Sequence, residues 1–339
     1  MRLIIETSQS PSHNLAREEV LFNHVKEDTV YLWRNRPAVI IGRHQNTLAE
    51  IDEAAAEDGH IEIVRRLTGG GAVFHDPGNI NFSFVFACGD FEKKKEQGLQ
   101  MMISYLQSRG ATCFTNGRND ICMKDSDGNV VKICGTAMTQ QEERGIFHGC
   151  ILFDCNLAAM GKVLTPAREK LHSKGISSLR SRVANLRALV PQLKDISRDC
   201  FFEEWGKDLS ETCRLIEEES TAEKAEIAVL LQERYENRAW NFGRNPACTM
   251  EISRRFPVGT VIFHGDIKGG VIKSCCFSGD YLSLKDFGKI SAGLQDIEFS
   301  RDAIEKALQG IELEKYFGTS NQEEILDFLT GRREESWHL

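Results

Sequence analysis

The stretch from Arg65 to Phe84, RRLTGGGAVFHDPGNINFSF, constrains this chain more than any other. Ile61 to Arg65 is a β-rich run that leads through Arg66, Leu67 and Thr68 to three consecutive glycines. After a Pro77-Gly78 turn, Phe82, Phe84 and Phe86 alternate with Ser83 and Val85. A period of two requires a strand with one aromatic face, and that face needs a sheet and a core to cover it. Adjacent glycines allow positive φ and let a ligand reach main chain with no Cβ in the way. Their N–H groups would suit phosphate oxygens, although a glycine run on its own reads equally as a plain turn.

The rest of the chain supplies partners for that strand. Asn14 is placed to cap a helix running to about Lys26, with Leu15, Phe22 and Val25 on one face and Glu18 and Glu19 early. Val30 to Trp33 and Ala38 to Ile41 read as a hairpin around Asn35-Arg36-Pro37, and Ile51 to Asp58 as a short helix stopped by Gly59. Phe91 to Arg109 is helical. Gly117 to Met138 is a hairpin around DSDGN, and His148 to Leu157 a further strand. Ser220-x-x-Glu223 has the form of a capping box opening a helix to about Trp240. Residues 241 to 246, NFGRNP, break the pattern and divide a domain of residues 1–244 from one of residues 245–339. Strands around Gly269-Gly270 and two helices follow, near Asp302–Leu308 and Gln322–Leu329. Mostly antiparallel strands with separate helices predict α+β architecture in both parts.

Charge and cysteine content exclude several functions. A net charge of -8 leaves no basic footprint for nucleic acid, so an anionic ligand must be held by local groups. No window is apolar enough for a membrane span, and the N-terminus lacks a signal or transit layout. Eleven cysteines without a C-x-x-C pair suit free thiols in a reducing compartment, which predicts a cytoplasmic protein. Nine scattered histidines form no zinc pattern. Monomer is the default assembly.

Several side chains near the glycines could do chemistry. Arg66 offers a planar fork to a carboxylate or phosphate. His75-Asp76 reads either as a structural pair or as a ligand-orienting one, and Asn79 either faces ligand or bonds the turn. Lys132 alternates with Val131 and Ile133 in an apolar run, where an inward ammonium is costly unless it meets an anion.

Five segments in order, IGRHQN, RRLTGGGAVFHDPGN, KICGTA, HGC and KGISSLRSRVANL, resemble the lipoate-protein ligase family over most of Ile41 to Leu186. The tail beyond Asn245 resembles the accessory domain of its two-domain members. The resemblance implies a catalytic domain of the biotin/lipoate ligase type. It implies activation of lipoate by MgATP to lipoyl-AMP with release of pyrophosphate, then transfer to a lysine of a lipoyl-domain acceptor. The acceptors would be 2-oxoacid dehydrogenase acyltransferase subunits and the glycine cleavage H protein, and lipoate or octanoate the acyl substrate. On this analogy Arg66, Gly69, Gly70, Gly71, Ala72, Val73, Phe74, His75, Asn79, Asp120 and His148 bind ATP or lipoyl-AMP, with Lys132 catalytic. Asp120 would hold Mg²⁺ or adenine, although it reads equally as a hairpin start. Lys174, Gly175, Arg180 and Arg182 belong to a loop similar to the family's adenylate-binding loop, which a bland reading makes a solvated surface loop.

Two positions depart from the family pattern. Cys134 and Cys150 stand where a hydroxyl residue is expected. They predict small buried side chains, but also open a rival in which a cysteine thioester carries the acyl group without ATP. Two further rivals are a transferase that accepts only preformed lipoyl-AMP and a non-catalytic lipoyl-AMP-binding protein.

Overall fold

Strand β6 (Asn79–Phe86) lies inside an eight-stranded sheet. Its neighbours are β1 (Arg2–Ile5), β2 (Thr29–Trp33), β7 (Phe114–Asn116), β8 (Asp120–Lys124), β9 (Val130–Gln141), β10 (Arg144–Leu152) and β11 (Arg214–Ile216), in the order β11-β1-β2-β6-β10-β9-β8-β7. The computed structural model describes residues 1–87, 89–116, 120–164, 183–216, 218–242 and 249–330. Contacts divide the chain into two units. One comprises Met1–Ile41, Leu48–Thr68 and Ala72–Gly243; the other comprises Gly42–Thr47, Gly69–Gly71 and Arg244–Leu339.

In the first unit, β11, β1 and β2 run parallel, and β2 through β7 pair antiparallel. Alternation along β6 divides the sheet's two faces. Phe82, Phe84 and Phe86 enter a core with Met102, Tyr105 and Leu106 of helix Phe91–Ser108 and with Phe201 and Trp205 of helix Arg198–Ser210. The opposite face carries Asn79, Asn81 and Ser83 and packs toward helix α1 (Pro11–His24) through Tyr31, Trp33, Val85 and Ile146. A small sheet, β4-β3-β5, is formed by β3 (Ala38–Ile41), β4 (Glu62–Arg65) and β5 (Val73–His75).

In the second unit, β12 (Met250–Phe256), β13 (Gly259–Lys268) and β14 (Val271–Gly279) make an antiparallel meander. Phe263 and Phe277 pack on Ile290, Ile304, Ile325 and Phe328 of its helices. The α+β architecture expected from the sequence is the one observed.

Local expectations differ from the structure at four places. α1 begins a turn early because Ser10, in extended backbone, caps it and Pro11 occupies the first helical position. Asn14 instead bonds Ser8 O, Arg34 O and Asn35. β2 and β3 are not a hairpin, since β2 pairs with β1 and β6 while β3 pairs with β4 and β5. The capping box of Ser220 and Glu223 is present, but the helix ends at Leu230, becomes a π-turn over Leu231–Tyr235 and resumes at Arg238–Phe242. The strand holding His148 starts at Arg144 and ends at Leu152.

The Pro77-Gly78 turn into β6 has no room for a side chain at Gly78. A Cβ there would lie 1.9 Å from Asp154 O, and Gly78 O accepts from the N–H of Phe153 and Asp154 at 3.2 and 3.0 Å. Gly78→Ala is expected to cost about 1–3 kcal/mol through overpacking, measured by chemical denaturation of the whole chain.

Candidate active site

The polar face of the large sheet takes its order from strand register. Residues directly opposite in an antiparallel ladder project to the same side. Trp33 pairs with Asn81, Asn81 with Cys150, Cys150 with Gly135 and Gly135 with Asp120. One step along, Tyr31, Ser83, His148 and Ala137 repeat the series. A bulge in β9 at Ile133, facing the Ile121/Cys122 step of β8, puts Lys132 opposite Cys122. The Lys132 ammonium then reaches the Asp120 carboxylate at 2.6 Å, both side chains about one-third exposed. Its path crosses Gly135, where a Cβ would meet Lys132 Nζ at 2.9 Å. The glycine of KICGTA thus leaves space for the lysine.

The two adjacent arginines have separate tasks. Arg65 is structural: its Nε and Nη2 donate to Trp240 O and Asn241 O at 2.9 and 3.1 Å, and its main chain pairs with the same helix. Arg66 turns toward the polar face. Its Nε donates to Thr68 Oγ1 at 3.0 Å and its Nη1 to Ile40 O at 3.0 Å. Burial pulls the Arg66 guanidinium down to about 10, partly offset by Cys150 and Glu18. It is therefore still a cation at neutral pH, and a desolvated one that favours an anion nearby. Burial raises the Cys150 thiol, while Lys132 and Arg66 both act to lower it. Geometry relates both cations to β10: Gly135, which Lys132 crosses, pairs with Cys150, and Arg66 is linked through Thr68 to His148 two residues away.

His148 is buried beside them, with Nδ1 2.8 Å from Glu18 Oε1 and Nε2 2.8 Å from Thr68 Oγ1. Ser83 also donates to Glu18 Oε1 at 2.5 Å and accepts from Trp33 Nε1 at 3.0 Å. Glu18, Thr68, Ser83 and Asn81 are site neighbours that the sequence reading did not single out. The available signal was the spacing of Asn14 and Glu18, four apart on a helix whose buried stripe is polar there.

His75 and Asp76 do not act as a pair. Asn35 Nδ2 lies 3.2 Å from His75 Nδ1, so Nδ1 accepts and Nε2 carries the proton. Asp76 accepts from Gly78 N and Asn156 N at 2.7 Å each, which braces the turn. Asn79 Oδ1 accepts from Asp76 N at 2.9 Å. Phe74 packs with Val39 and Ile41, with Ala72 against that cluster, and Val73 pairs with Ile40. Gly69–Gly71 fall in the second unit. There Gly70 has φ 88°, and its N–H donates to Tyr281 O at 3.1 Å. His44 of the IGRHQN segment stacks on Tyr281 with ring centroids 4.5 Å apart.

Lys174, Gly175, Arg180 and Arg182 lie outside the described residues. The described chain on either side is anchored: Leu164 bridges Ile51, and Val183 bridges Lys132, where Ala184 N donates to Lys132 O at 3.0 Å.

Cys134 is fully buried in the aromatic core, and burial pushes its thiol well above the ordinary value. With Cys150 raised as well, burial disfavours the thiolate form at both positions. The described cysteines are all free. Among the described residues, Glu6, His13 and Glu219 form a group with metal-ligand spacing. Arg17 already sits there, 2.6 Å from Glu6 and 3.4 Å from Glu219.

Two predictions follow from burial. Asn81 has no exposure, and neither amide atom has a partner among the described residues. An unpaired buried polar atom costs about 1–3 kcal/mol, so Asn81→Leu is expected to raise the melting temperature by several degrees, and a fall would contradict the reading. Burial, then Arg66 and His148, depress His75 to about 3. The unfolded chain takes up this proton near an ordinary pKa of about 6.5, so stability held above that pH is lost on acidification toward 3. Between pH 7 and pH 5 the wild type is expected to lose about 2 kcal/mol from this group. His75→Gln should remove that part of the loss in denaturation midpoints.

The Lipoyl protein ligase A/B catalytic domain family matches residues 10–209, and the Bacterial lipoate protein ligase C-terminus family matches residues 245–329. The chain is 35% identical over 326 residues to the lipoate-protein ligase LplJ of Bacillus subtilis, covering 94% of this chain and 96% of the relative. Among solved structures, P. falciparum LipL1 in complex with lipoate shares the fold with a TM-score of 0.75 at 22% identity, covering 97% of this chain and 98% of that one. A bipartite lipoate protein ligase from Thermoplasma acidophilum, described with its E2 lipoyl domain, superposes with a TM-score of 0.60 at 25% identity. That likeness covers 74% of this chain and 98% of the archaeal one. The ordered motifs, the observed fold and this full-length similarity agree, and the chain belongs to the lipoate-protein ligase family.

Proposed function

We propose that the polar face of the large sheet is where this enzyme, an ATP-dependent lipoate-protein ligase, activates lipoate and transfers it to protein. The observation that carries the site is the placement of two cations along β10: Lys132 lies over Gly135, the ladder partner of Cys150, and buried Arg66 is linked through Thr68 to His148. Lipoate's carboxylate is a poor acyl donor. Its attack on the α-phosphorus of MgATP expels pyrophosphate and makes the mixed anhydride, after which an acceptor lysine amine attacks the acyl carbon, loses a proton and releases AMP.

Both steps gather negative charge on oxygens. Lys132, held to one side by Asp120, has the reach to offset charge on the α-phosphate and then on the tetrahedral oxyanion. Arg66, fixed by Ile40 O and Thr68, presents a guanidinium whose low solvation strengthens its pull on phosphate. Gly69, Gly70, Gly71, Ala72, Val73, Phe74, His75, Asn79 and His148 are assigned to the nucleotide by family pattern. Asp120 is the proposed contact to Mg²⁺, which needs few protein carboxylates when phosphates supply the rest. Lys174, Gly175, Arg180 and Arg182 are assigned to the adenylate by family pattern. We place the domain boundary at residues 244/245.

Proposed acceptors are the acyltransferase subunits of 2-oxoacid dehydrogenases and the glycine cleavage H protein. The enzyme is proposed to act as a cytoplasmic monomer. Among the described residues no helix is long and apolar enough to cross a membrane.

Lipoate-dependent pyrophosphate release from MgATP tests the activating step. Lys132→Ala is expected to lower it about 10²-fold or more. Gly135→Ala should fold and also be slow, because the new methyl displaces the ammonium. Acceptor modification from added lipoyl-AMP without any pyrophosphate release would mean that the activating half-reaction is absent.

A further inference from the structure

A line of hydrogen bonds connects helix α1 to Arg66 through groups that are all buried. From the helix it passes Glu18 Oε1, His148 Nδ1 at 2.8 Å, His148 Nε2 to Thr68 Oγ1 at 2.8 Å, and Thr68 Oγ1 to Arg66 Nε at 3.0 Å. Ser83 adds a second donor on Glu18, and Trp33 holds Ser83. The four elements involved are α1, β6, β10 and the turn after β4.

The direction of each bond follows from the atoms. An ionised Glu18 has no proton to give, so His148 Nδ1 must donate to it. In a neutral imidazole Nε2 is then an acceptor, and it takes the single hydroxyl proton of Thr68. Thr68 Oγ1 is left with lone pairs only, and these face the Arg66 Nε–H. The carboxylate thereby sets the tautomer of the histidine, the histidine sets the rotor of the threonine, and the threonine sets the guanidinium plane. Glu18 also acts electrostatically on Arg66, so the arginine has a counter-charge at one remove.

We propose that Glu18, His148 and Thr68 are positioning residues for this reaction, acting through Arg66 to hold its guanidinium in the plane that receives the α-phosphate. This inference rests on the assignment of Arg66 to the nucleotide, and its test separates the two.

The experiment is a double-mutant cycle on the full-length protein. Its readout is calorimetric affinity for an acyl-adenylate analogue in which methylene replaces the bridging oxygen and the phosphoryl charge is kept. Arg66→Lys keeps the charge and removes the fork, and Thr68→Val keeps the shape and removes the hydroxyl. Each alone is expected to weaken binding about tenfold, since a tenfold change is what one lost charge-assisted hydrogen bond commonly costs. In the Arg66→Lys background, Thr68→Val should add less than about threefold, because the bond it breaks is already gone. Thr68→Ser should bind within about threefold of wild type.

Additive losses, or a Thr68→Ser variant as weak as Thr68→Val, would overturn the relay. Unchanged binding in Arg66→Lys would instead overturn the assignment of Arg66, independently of Thr68. Circular dichroism and thermal melts check each variant. If Thr68→Val does not fold, Glu18→Gln takes its place in the cycle, with the same non-additivity expected and additivity again decisive against the proposal.

Discussion

The antiparallel pairing of β6 with β10 is the constraint on which the site depends. Eight consecutive residue pairs, from Asn79 with Leu152 to Phe86 with Gly145, fix which side chains share a face. A slip of one residue would send the phenylalanines to the site and the polar residues to the core. The aromatic cluster on one face makes that slip expensive. The position of Ser83, His148, Asn81 and Cys150 on the other face is thus set by packing in which they take no part. Burial of Phe82, Phe84 and Phe147 against Trp205 and Tyr105 is what gives the polar face its geometry.

On that rigid floor the cations are handled in two ways. Lys132 is partly exposed and has its carboxylate close by, so its charge is cheap to keep and its flexible stem can follow a substrate. Arg66 is buried and held by a carbonyl and a hydroxyl, so its charge is expensive and its plane is fixed. In the proposed two-step reaction, the first group would move between phosphate and acyl oxygen and the second would stay on the phosphate. Buried Asn81, with neither amide atom partnered among the described residues, shows that this face has not been optimised for stability alone.

Much of the local structure around the proposed site was legible in the sequence because its signals are local. An alternating aromatic strand, a Pro-Gly turn, a lysine among valines and isoleucines, and a glycine two residues before Ala137 each report on neighbours a few positions away. The meaning of the three glycines was only partly so. Gly70 needs its positive φ, as a glycine run suggests. His75-Asp76 looked like a pair because the residues are adjacent, yet the strand ends at His75 and Asp76 turns to accept from Gly78 and Asn156. Glu18 and Thr68 were passed over for the complementary reason: their partners are 130 and 80 positions away. The supposed hairpin of β2 and β3 failed similarly, since two short apolar runs carry no information about which sheet each will join.

The sequence by itself determined the α+β class, the aromatic strand, the family and the identity of Lys132 and Arg66 as the cations to watch. Those follow from periodicity, composition and ordered motifs, which a linear chain carries intact. The tertiary structure decided which arginine of the pair was structural, which thiols were buried, and how Glu18 reaches Arg66 through His148 and Thr68. These depend on desolvation and on hydrogen-bond direction between groups far apart in the chain. Neither quantity exists until the sheet has closed over its core and water has left the polar face.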